Sequence, residues 1–215
     1  MSIFPGFISA YQKRELAFDK TYYDLCLALD ASPLRQPLFK HEAYILEPLY
    51  EIIHGKVYRE GRGFYVDLPD AKKLDANIVA EGLRKIATLI YLVKNGSIAP
   101  NSILLLDEPE ANLNPKLVPK MLEFLRRLTG EGVQIFLATH DYLVAHELSL
   151  HAEYVEDDTS RFFSFYRQEN GDGGAVEVGD TLVDIDHNPI LDEYAAHHER
   201  ETALFYKHAP QTETA

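Results

Sequence analysis

The stretch ILLLDEPEANLNPK, residues 103–116, places four apolar residues directly before two acids and a polar, proline-containing turn. The short apolar run predicts a buried strand over Ile103–Leu106. A helix is predicted over Asn114–Leu128, with Asn114 as its N-cap. The apolar run Val133–Ala138 predicts a second strand, and another helix follows it. Because strand, helix, strand and helix alternate with short links, the sequence predicts parallel strands in an α/β sheet.

The part of the chain before this stretch is predicted to be mainly helical. A helical pattern begins at about Phe7, and a second one covers Phe39–His54, with Gly55 placed to end it. The alternating segment Lys56–Leu68 predicts a β-hairpin. Apolar residues then recur at three- and four-residue spacing over Val79–Val93, which predicts one apolar helical face.

The part of the chain after residue 150 predicts a second hairpin and a final helix. Arg161–Arg167 and Ala175–Val178 flank a polar, glycine-rich loop, and a helix is predicted over Ile190–Lys207. This part, residues 151–215, carries 15 acids and only 4 bases. We therefore expect residues 1–150 to hold the functional region and residues 151–215 to form an acidic extension of the same domain.

Composition excludes several classes of protein. The chain has 215 residues, enough for one α/β domain with a core, and its longest apolar stretches are far too short for a membrane span. No signal peptide opens it, and a single cysteine, Cys26, fits a reducing compartment, so we expect a cytoplasmic protein. The net charge of -13 disfavours direct nucleic-acid binding.

The two acids that follow the first strand are candidate catalytic groups. A parallel strand ending in Asp107 and Glu108 delivers both carboxylates to the carboxyl edge of the sheet, where α/β proteins bind ligands. Asp107 could hold Mg²⁺ and Glu108 could polarise a water. By itself, Asp107 could equally be a helix N-cap or a loop acid. His140, at the end of the next strand, adds a group that could contact a γ-phosphate oxygen.

The sequence ILLLDEPEANLNP followed by FLATHD resembles ABC-type ATPases, in particular stand-alone AAA-family ATPases of the AbiEii-like and OLD-like group. The resemblance covers about residues 5–150 and implies a partial P-loop NTPase fold. Such a fold has parallel strands flanked by helices, here with added β-hairpins and a C-terminal helix. It also implies binding and hydrolysis of ATP with Mg²⁺. The implied motifs are a Walker B motif over 103–108, a D-loop at about 111–115 and a switch histidine at His140.

The same resemblance implies that VAEGLRKI, where a helix begins, corresponds to the signature motif of ABC ATPases. We call it the signature-like segment. Ala80 stands where ABC signatures carry serine, so a hydroxyl contact to the phosphate is absent, and Glu81 adds charge there. The backbone of Gly82 and the helix N-terminus would face a γ-phosphate held by a second subunit. A plain helix start explains VAEG equally well. Asn112 and Asn114 complete the nucleotide-binding residues that the resemblance implies.

A phosphate-binding loop of the form G-x-x-x-x-G-K-[ST] does not occur in the 215 residues. We therefore expect the chain to be the carboxyl-terminal portion of an ATPase, with its Walker A motif in a missing amino-terminal part or in another chain. The isolated chain should bind ATP weakly or not at all. A sheet without its first strands would leave an open edge and exposed apolar surface, which favours a homodimer or a partner chain.

Two other functions compete with the ATPase. The chain could be a non-catalytic regulatory or assembly module of an ATPase complex, such as a defence or toxin system. A metal-dependent nuclease is a third class, and Asp184, Asp186 and His187 are its candidate ligands, although a solvated acidic turn is the simpler interpretation. The adjacent pair His197 and His198 could bind a metal. Because neighbouring residues point about 100° apart on a helix, an exposed polar face is the simpler interpretation.

Overall fold

The computed structural model describes residues 11–12, 20–60, 63–155, 159–168 and 173–208. Its contacts divide the chain into two compact units, Met1–Thr139 and His140–Ala215. The functional boundary predicted at residue 150 falls within a helix of the second unit, and that assignment stays a prediction.

The described part of the first unit begins with two helices and three consecutive strands, and helices and strands alternate only after these. Its helices, with one 3-10 turn before the last, are α1 (Lys20–Asp30), α2 (Glu42–Ile53), α3 (Glu81–Lys94), the turn Pro115–Leu117 and α4 (Val118–Gly130). Its strands are β1 (Lys56–Glu60), β2 (Gly63–Leu68), β3 (Ala71–Asp75), β4 (Ile103–Asp107) and β5 (Gln134–Ala138).

The core of this unit is built around α2, whose apolar face packs against both α3 and α4. Residues at helical spacing are fully buried, including Leu49 in α2, Ile86 and Ile90 in α3, and Leu122 in α4. Burial of a large aliphatic side chain contributes about 1.5–3 kcal/mol, so these faces hold the helices together. The apolar periodicity of the α3 sequence therefore predicted its core face correctly.

The parallel strands predicted at the centre of the chain are present, but β4 is not buried as predicted, because Ile103 and Leu105 are exposed. β4 and β5 pair in parallel, with Leu105 opposite Phe136 and Asp107 opposite Ala138. The helix α4 connects them, as a parallel crossover requires. The predicted α/β class, with parallel strands flanked by helices, is confirmed.

The predicted hairpin is also confirmed, but a third strand beside it was missed. β1 and β2 pair antiparallel over Lys56–Asp67, and β3 adds to the free side of β2. The β3 sequence, AKKLD, carries two lysines and no apolar alternation, so it gave no strand signal. Charged residues are typical of edge strands, where they oppose further pairing.

The end of α2 differs from the prediction. His54, not Gly55, takes the left-handed conformation after the helix, with φ 48°, and its N–H donates to the Tyr50 carbonyl at 2.8 Å. Gly55 is instead required by close packing, because a Cβ there would lie 1.7 Å from the Asp67 carbonyl oxygen. The helix begins at Glu42, and the helical pattern from Phe7 lies partly outside the described residues.

The second unit contains the predicted hairpin and final helix. Its elements in chain order are α5 (Tyr142–Tyr154), β6 (Phe162–Arg167), β7 (Gly174–Gly179), the 3-10 turn Leu182–Asp184 and α6 (Pro189–His208). β6 and β7 pair antiparallel over their whole length.

Candidate functional site

Asp107 and Glu108 lie at the carboxyl end of the parallel strand pair, as predicted. Asp107 is the last residue of β4, and its side chain is exposed. The Glu108 N–H donates to the Ala138 carbonyl at 2.9 Å, which extends the ladder one residue beyond the strand. The two carboxylates therefore emerge from a backbone that is held against β5.

The backbone of Glu108 is fixed in an uncommon conformation. Its φ of 43° lies in the left-handed region, which costs about 1–2 kcal/mol for a residue with a Cβ. The Lys85 ammonium, on α3, donates to the Glu108 carbonyl at 3.0 Å. Contacts to the Glu108 carbonyl and N–H compensate for the strain and set the direction in which its side chain leaves the chain.

The segment after Glu108 forms two successive tight turns. The Ala111 N–H donates to the Glu108 carbonyl at 3.1 Å, and the Leu113 N–H to the Glu110 carbonyl at 2.8 Å. Asn112 is exposed and takes a left-handed φ of 66°. Asn114 is an N-cap, as predicted, since its side-chain oxygen accepts from the Lys116 N–H at 3.0 Å.

The signature-like segment contacts these turns within the same chain. A Cβ on Gly82 would lie 2.4 Å from the Asn112 carbonyl oxygen, so only glycine permits this approach. Ala80 precedes α3 and provides no side-chain cap, and Ala80 and Glu81 are exposed. Ala80 therefore leaves the first-turn N–H groups of α3 without a cap from the N-cap residue, in keeping with the missing hydroxyl noted in the sequence.

Glu110 is a residue to which the sequence pattern assigned no role. Its side chain is only 8% exposed, and one carboxylate oxygen accepts from the Thr139 hydroxyl at 2.5 Å. The other oxygen, Oε2, is buried and has no hydrogen-bond partner among the described residues. The contact ties the turn after β4 to the residue that follows β5. A second glutamate, two residues after Glu108, was the only sequence signal.

His140 begins the second unit and is exposed. The next residue, Asp141, is the N-cap of α5, and its carboxylate accepts from the Val144 N–H at 3.0 Å. The role of His140 at the nucleotide therefore rests on the sequence pattern and stays a prediction.

The predicted metal site at Asp107 would be an open one. No group of three or more His, Cys, Asp or Glu side chains within the described ranges could enclose a metal ion. Mg²⁺ commonly keeps several waters and takes only one or two protein carboxylates beside the substrate phosphates. The exposed Asp107 carboxylate fits that mode of binding.

The acidic turn of the second unit has a structural role. Asp184 accepts from the Thr181 N–H at 2.9 Å and from its hydroxyl at 3.0 Å, and the backbone bond contributes most to lowering the pKa of this carboxyl. His187 donates its N–H to Glu177 at 2.9 Å, which lowers the pKa of Glu177, and the side-chain contact between them raises the pKa of His187. His198 is exposed on α6, 3.7 Å from Glu201.

The fold is that of an α/β protein with a parallel strand pair, and a sequence comparison places it in the AAA class of ATPases. Residues 6–145 match the family described as "AAA domain, putative AbiEii toxin, Type IV TA system". The chain belongs to this family, which confirms the resemblance found in the DEPE segment and the FLATHD strand end.

Individual relatives match smaller parts of the chain. A "Putative ABC transporter ATP-binding protein" of Geobacter sulfurreducens is 36% identical over 91 residues, which are 42% of this chain and 31% of that protein. The chain thus spans about a third of the length of this curated relative.

Two solved structures of SMC ATPases are also similar. One, from work on ATP-driven dimerization and DNA-stimulated activation, has 12% identity and a TM-score of 0.46, covering 66% of this chain and 87% of that one. The SMC head domain from Thermotoga maritima has 16% identity and a TM-score of 0.40, covering 58% and 44%.

None of the helices in the described ranges has the length and apolar character needed to cross a membrane.

Replacing Gly82 with alanine should destabilise the first unit. The added Cβ would collide with backbone atoms of Asn112, which cannot rotate away, so we expect a loss of about 1–3 kcal/mol. Chemical denaturation would measure the loss, and hydrogen exchange should show faster exchange over residues 108–113. Gly130→Ala is the matched control, because no atom lies within 4 Å of a Cβ there. Equal effects of the two substitutions would contradict the close approach.

Proposed function

We propose that this chain forms the hydrolytic part of an ABC-like ATPase, which binds Mg-ATP when a phosphate-binding loop is supplied from outside these 215 residues. The observation that carries the proposal is the placement of Asp107 and Glu108 at the open end of a parallel strand pair. Ligands of α/β proteins bind at this edge. Family membership supports a nucleotide as the ligand.

The residues at this edge fit a magnesium-bound nucleotide. Asp107 presents an exposed carboxylate, the type of ligand that Mg²⁺ prefers. The first turn of α3, with Ala80, Glu81 and Gly82, is proposed to face the γ-phosphate of a nucleotide held by a second subunit, since Ala80 provides no side-chain cap for its N–H groups. Asn112 and Asn114 lie exposed in the adjoining turns and are proposed to contact the nucleotide.

In the proposed reaction, Glu108 acts on water. When bound, Mg²⁺ supplies positive charge that offsets the charge of the phosphates. The Glu108 carboxylate accepts the proton of a water that attacks the γ-phosphorus, and the bond from that phosphorus to the β–γ bridging oxygen breaks, which releases ADP and inorganic phosphate. The fixed backbone of Glu108 holds the base in one orientation. His140 is assigned the role of γ-phosphate sensor on the sequence pattern.

The second candidate is a non-catalytic module that regulates or assembles with a complete ATPase. The observation that favours it is the absence of the phosphate-loop sequence from these residues. Both candidates require a further polypeptide segment, either in a longer chain or in a partner. They differ in whether Glu108 takes part in turnover.

Calorimetric titration of the purified chain with Mg-ATP tests where the phosphates are held. We expect no detectable binding at concentrations up to about 1 mM, because a few carboxylates and one helix end do not replace the oriented amides and lysine of the loop. A chain that bound with a micromolar dissociation constant would contradict the proposal, since its phosphates would then be held by residues not assigned here. Titration with Mg²⁺ alone is the control for metal binding.

A further inference from the structure

The turn that carries Glu108 is attached to its neighbours through its backbone. We call residues 108–113 the base turn. The Glu108 N–H donates to the Ala138 carbonyl at 2.9 Å, and the Lys85 ammonium donates to the Glu108 carbonyl at 3.0 Å. Further along the base turn, the Asn112 carbonyl oxygen would lie only 2.4 Å from a Cβ on Gly82. The end of β5 and the helix α3 therefore hold the backbone of the base turn at residues 108 and 112.

Glu110, in the middle of the base turn, adds a contact through its side chain. Its carboxylate accepts from the Thr139 hydroxyl at 2.5 Å, and its backbone carbonyl accepts from the Leu113 N–H at 2.8 Å. The side chain is only 8% exposed, and Oε2 has no hydrogen-bond partner among the described residues. Because a buried carboxylate that loses a donor is left poorly solvated, the contact with Thr139 is costly to break. Glu110 thus links the base turn firmly to the residue after β5.

This hydrogen bond joins the two segments that carry the proposed base and the proposed phosphate sensor. Glu110 follows Glu108 by two residues, and Thr139 directly precedes His140. A misplacement of about 1 Å, even one caused far from the reacting atoms, can lower an enzymatic rate by about 10²-fold. A contact that fixes the base turn against the end of β5 can therefore act on the rate of hydrolysis without touching the nucleotide.

We propose that Glu110 is a positioning residue of the ATPase, which through its hydrogen bond to Thr139 fixes the segment that carries Glu108 relative to the segment that leads into His140. This inference rests on the proposed function and adds a role for a buried residue that does not itself contact water or nucleotide. Loss of the hydrogen bond should lower the rate of hydrolysis. It should leave the affinity for Mg-ATP unchanged, since the phosphate-binding loop supplies most of that affinity.

Thr139→Val removes the hydroxyl and tests this role in the assembled ATPase, purified from its native cells with the segment that supplies the phosphate-binding loop. We expect the single-turnover rate constant to fall by about tenfold to a hundredfold, with an unchanged dissociation constant for Mg-ATP. Thr139→Ser keeps the hydroxyl and should restore the rate. Thr129→Val is the matched control, because it removes a hydroxyl that donates to the Arg126 carbonyl in α4, away from the base turn. This control should not change the rate.

A double variant separates positioning from stability. In Glu110→Gln/Thr139→Val the buried group is neutral, so part of the stability lost in Thr139→Val should return, but valine still provides no donor. A positioning role requires the rate constant to stay as low as in Thr139→Val. A rate that recovered together with the stability would overturn the proposal, and so would an unaltered rate in Thr139→Val itself.

Hydrogen exchange of the isolated chain gives a readout that does not depend on activity. Amides of the base turn should exchange faster in Glu110→Gln/Thr139→Val, by a larger factor than the amide of Leu122 in the core of α4, and Thr139→Ser should show no such change. Equal factors at the two places would overturn the proposal.

The positioning role and the proposed function fail separately in this design. If Glu108→Gln stopped hydrolysis while Thr139→Val did not slow it, the proposed function would stand and the positioning role would be overturned. If Glu108→Gln retained full turnover while Thr139→Val slowed hydrolysis and the base turn exchanged faster, Glu108 would not be the base. The link between Glu110 and Thr139 would then still position the site.

Discussion

Glu108→Gln should abolish turnover by the assembled ATPase while leaving nucleotide binding in place. The amide keeps the size of the side chain but cannot accept the proton of the attacking water. General-base catalysis contributes about 10²–10⁴-fold, so we expect the rate constant for hydrolysis to fall by that factor. The left-handed backbone at residue 108 and its bonds to Lys85 and Ala138 do not involve the replaced atoms. The geometry of the turn should therefore survive.

Single-turnover hydrolysis and equilibrium binding of Mg-ATP are measured on the same complex. Together they separate an effect on the rate of hydrolysis from an effect on nucleotide binding. Asp70→Asn is a suitable control, because Asp70 is an exposed acid in the turn between β2 and β3. The complex with Asp70→Asn should hydrolyse ATP at the same rate as the complex without a substitution. If Glu108→Gln also retained full turnover, the carboxylate would not be the base, and the non-catalytic alternative would be favoured.

Thr139→Val should lower the free energy of unfolding of the first unit by about 3 kcal/mol. The Thr139 hydroxyl donates to the buried Glu110 carboxylate, whose second oxygen already has no hydrogen-bond partner among the described residues. Valine has nearly the same shape but no donor. Removing the partner of a buried charged group costs about 1–3 kcal/mol or more, and the poor solvation of this carboxylate places the effect at the upper end.

Denaturant titration would give the free energy of unfolding of each variant. Thr129→Val is the matched control, since the Thr129 hydroxyl donates to the Arg126 carbonyl on the exposed part of α4, and its loss should stay within about 0.5 kcal/mol. Adding Glu110→Gln to Thr139→Val should recover part of the stability, because the buried group is then neutral. Equal losses at positions 139 and 129 would show that the Glu110 contact does not hold the turn.

The residues near β4 show why the site could be predicted only in part. Asp107 and Glu108 follow an apolar run, so the local pattern by itself placed them at a strand end. The same pattern drew no attention to Glu110, because burial of a turn acid depends on a hydroxyl 29 positions away. The assignment of Gly82 to phosphate contact stays a prediction, and the fold adds a packing reason for glycine, the approach to Asn112.

Elements with strong periodicity or alternation were predicted, and an element without either was missed. The buried face of α3 follows from the spacing of its apolar residues, and β4 and β5 follow from short continuous apolar runs, since these patterns decide which side chains can leave water together. β3 and the left-handed end of α2 at His54 depend on neighbours, namely the free side of β2 and the chain reversal that leads into β1.

The sequence by itself determined the class of fold, the order of strand and helix, and the acids at the strand end. These features arise from residues that are close together along the chain, where periodicity and turn chemistry act directly. Only the tertiary structure decided that Glu110 is buried, that Lys85 holds Glu108, and that one face of the β4–β5 pair is exposed. Each of these depends on distances between residues far apart along the chain, which packing alone sets.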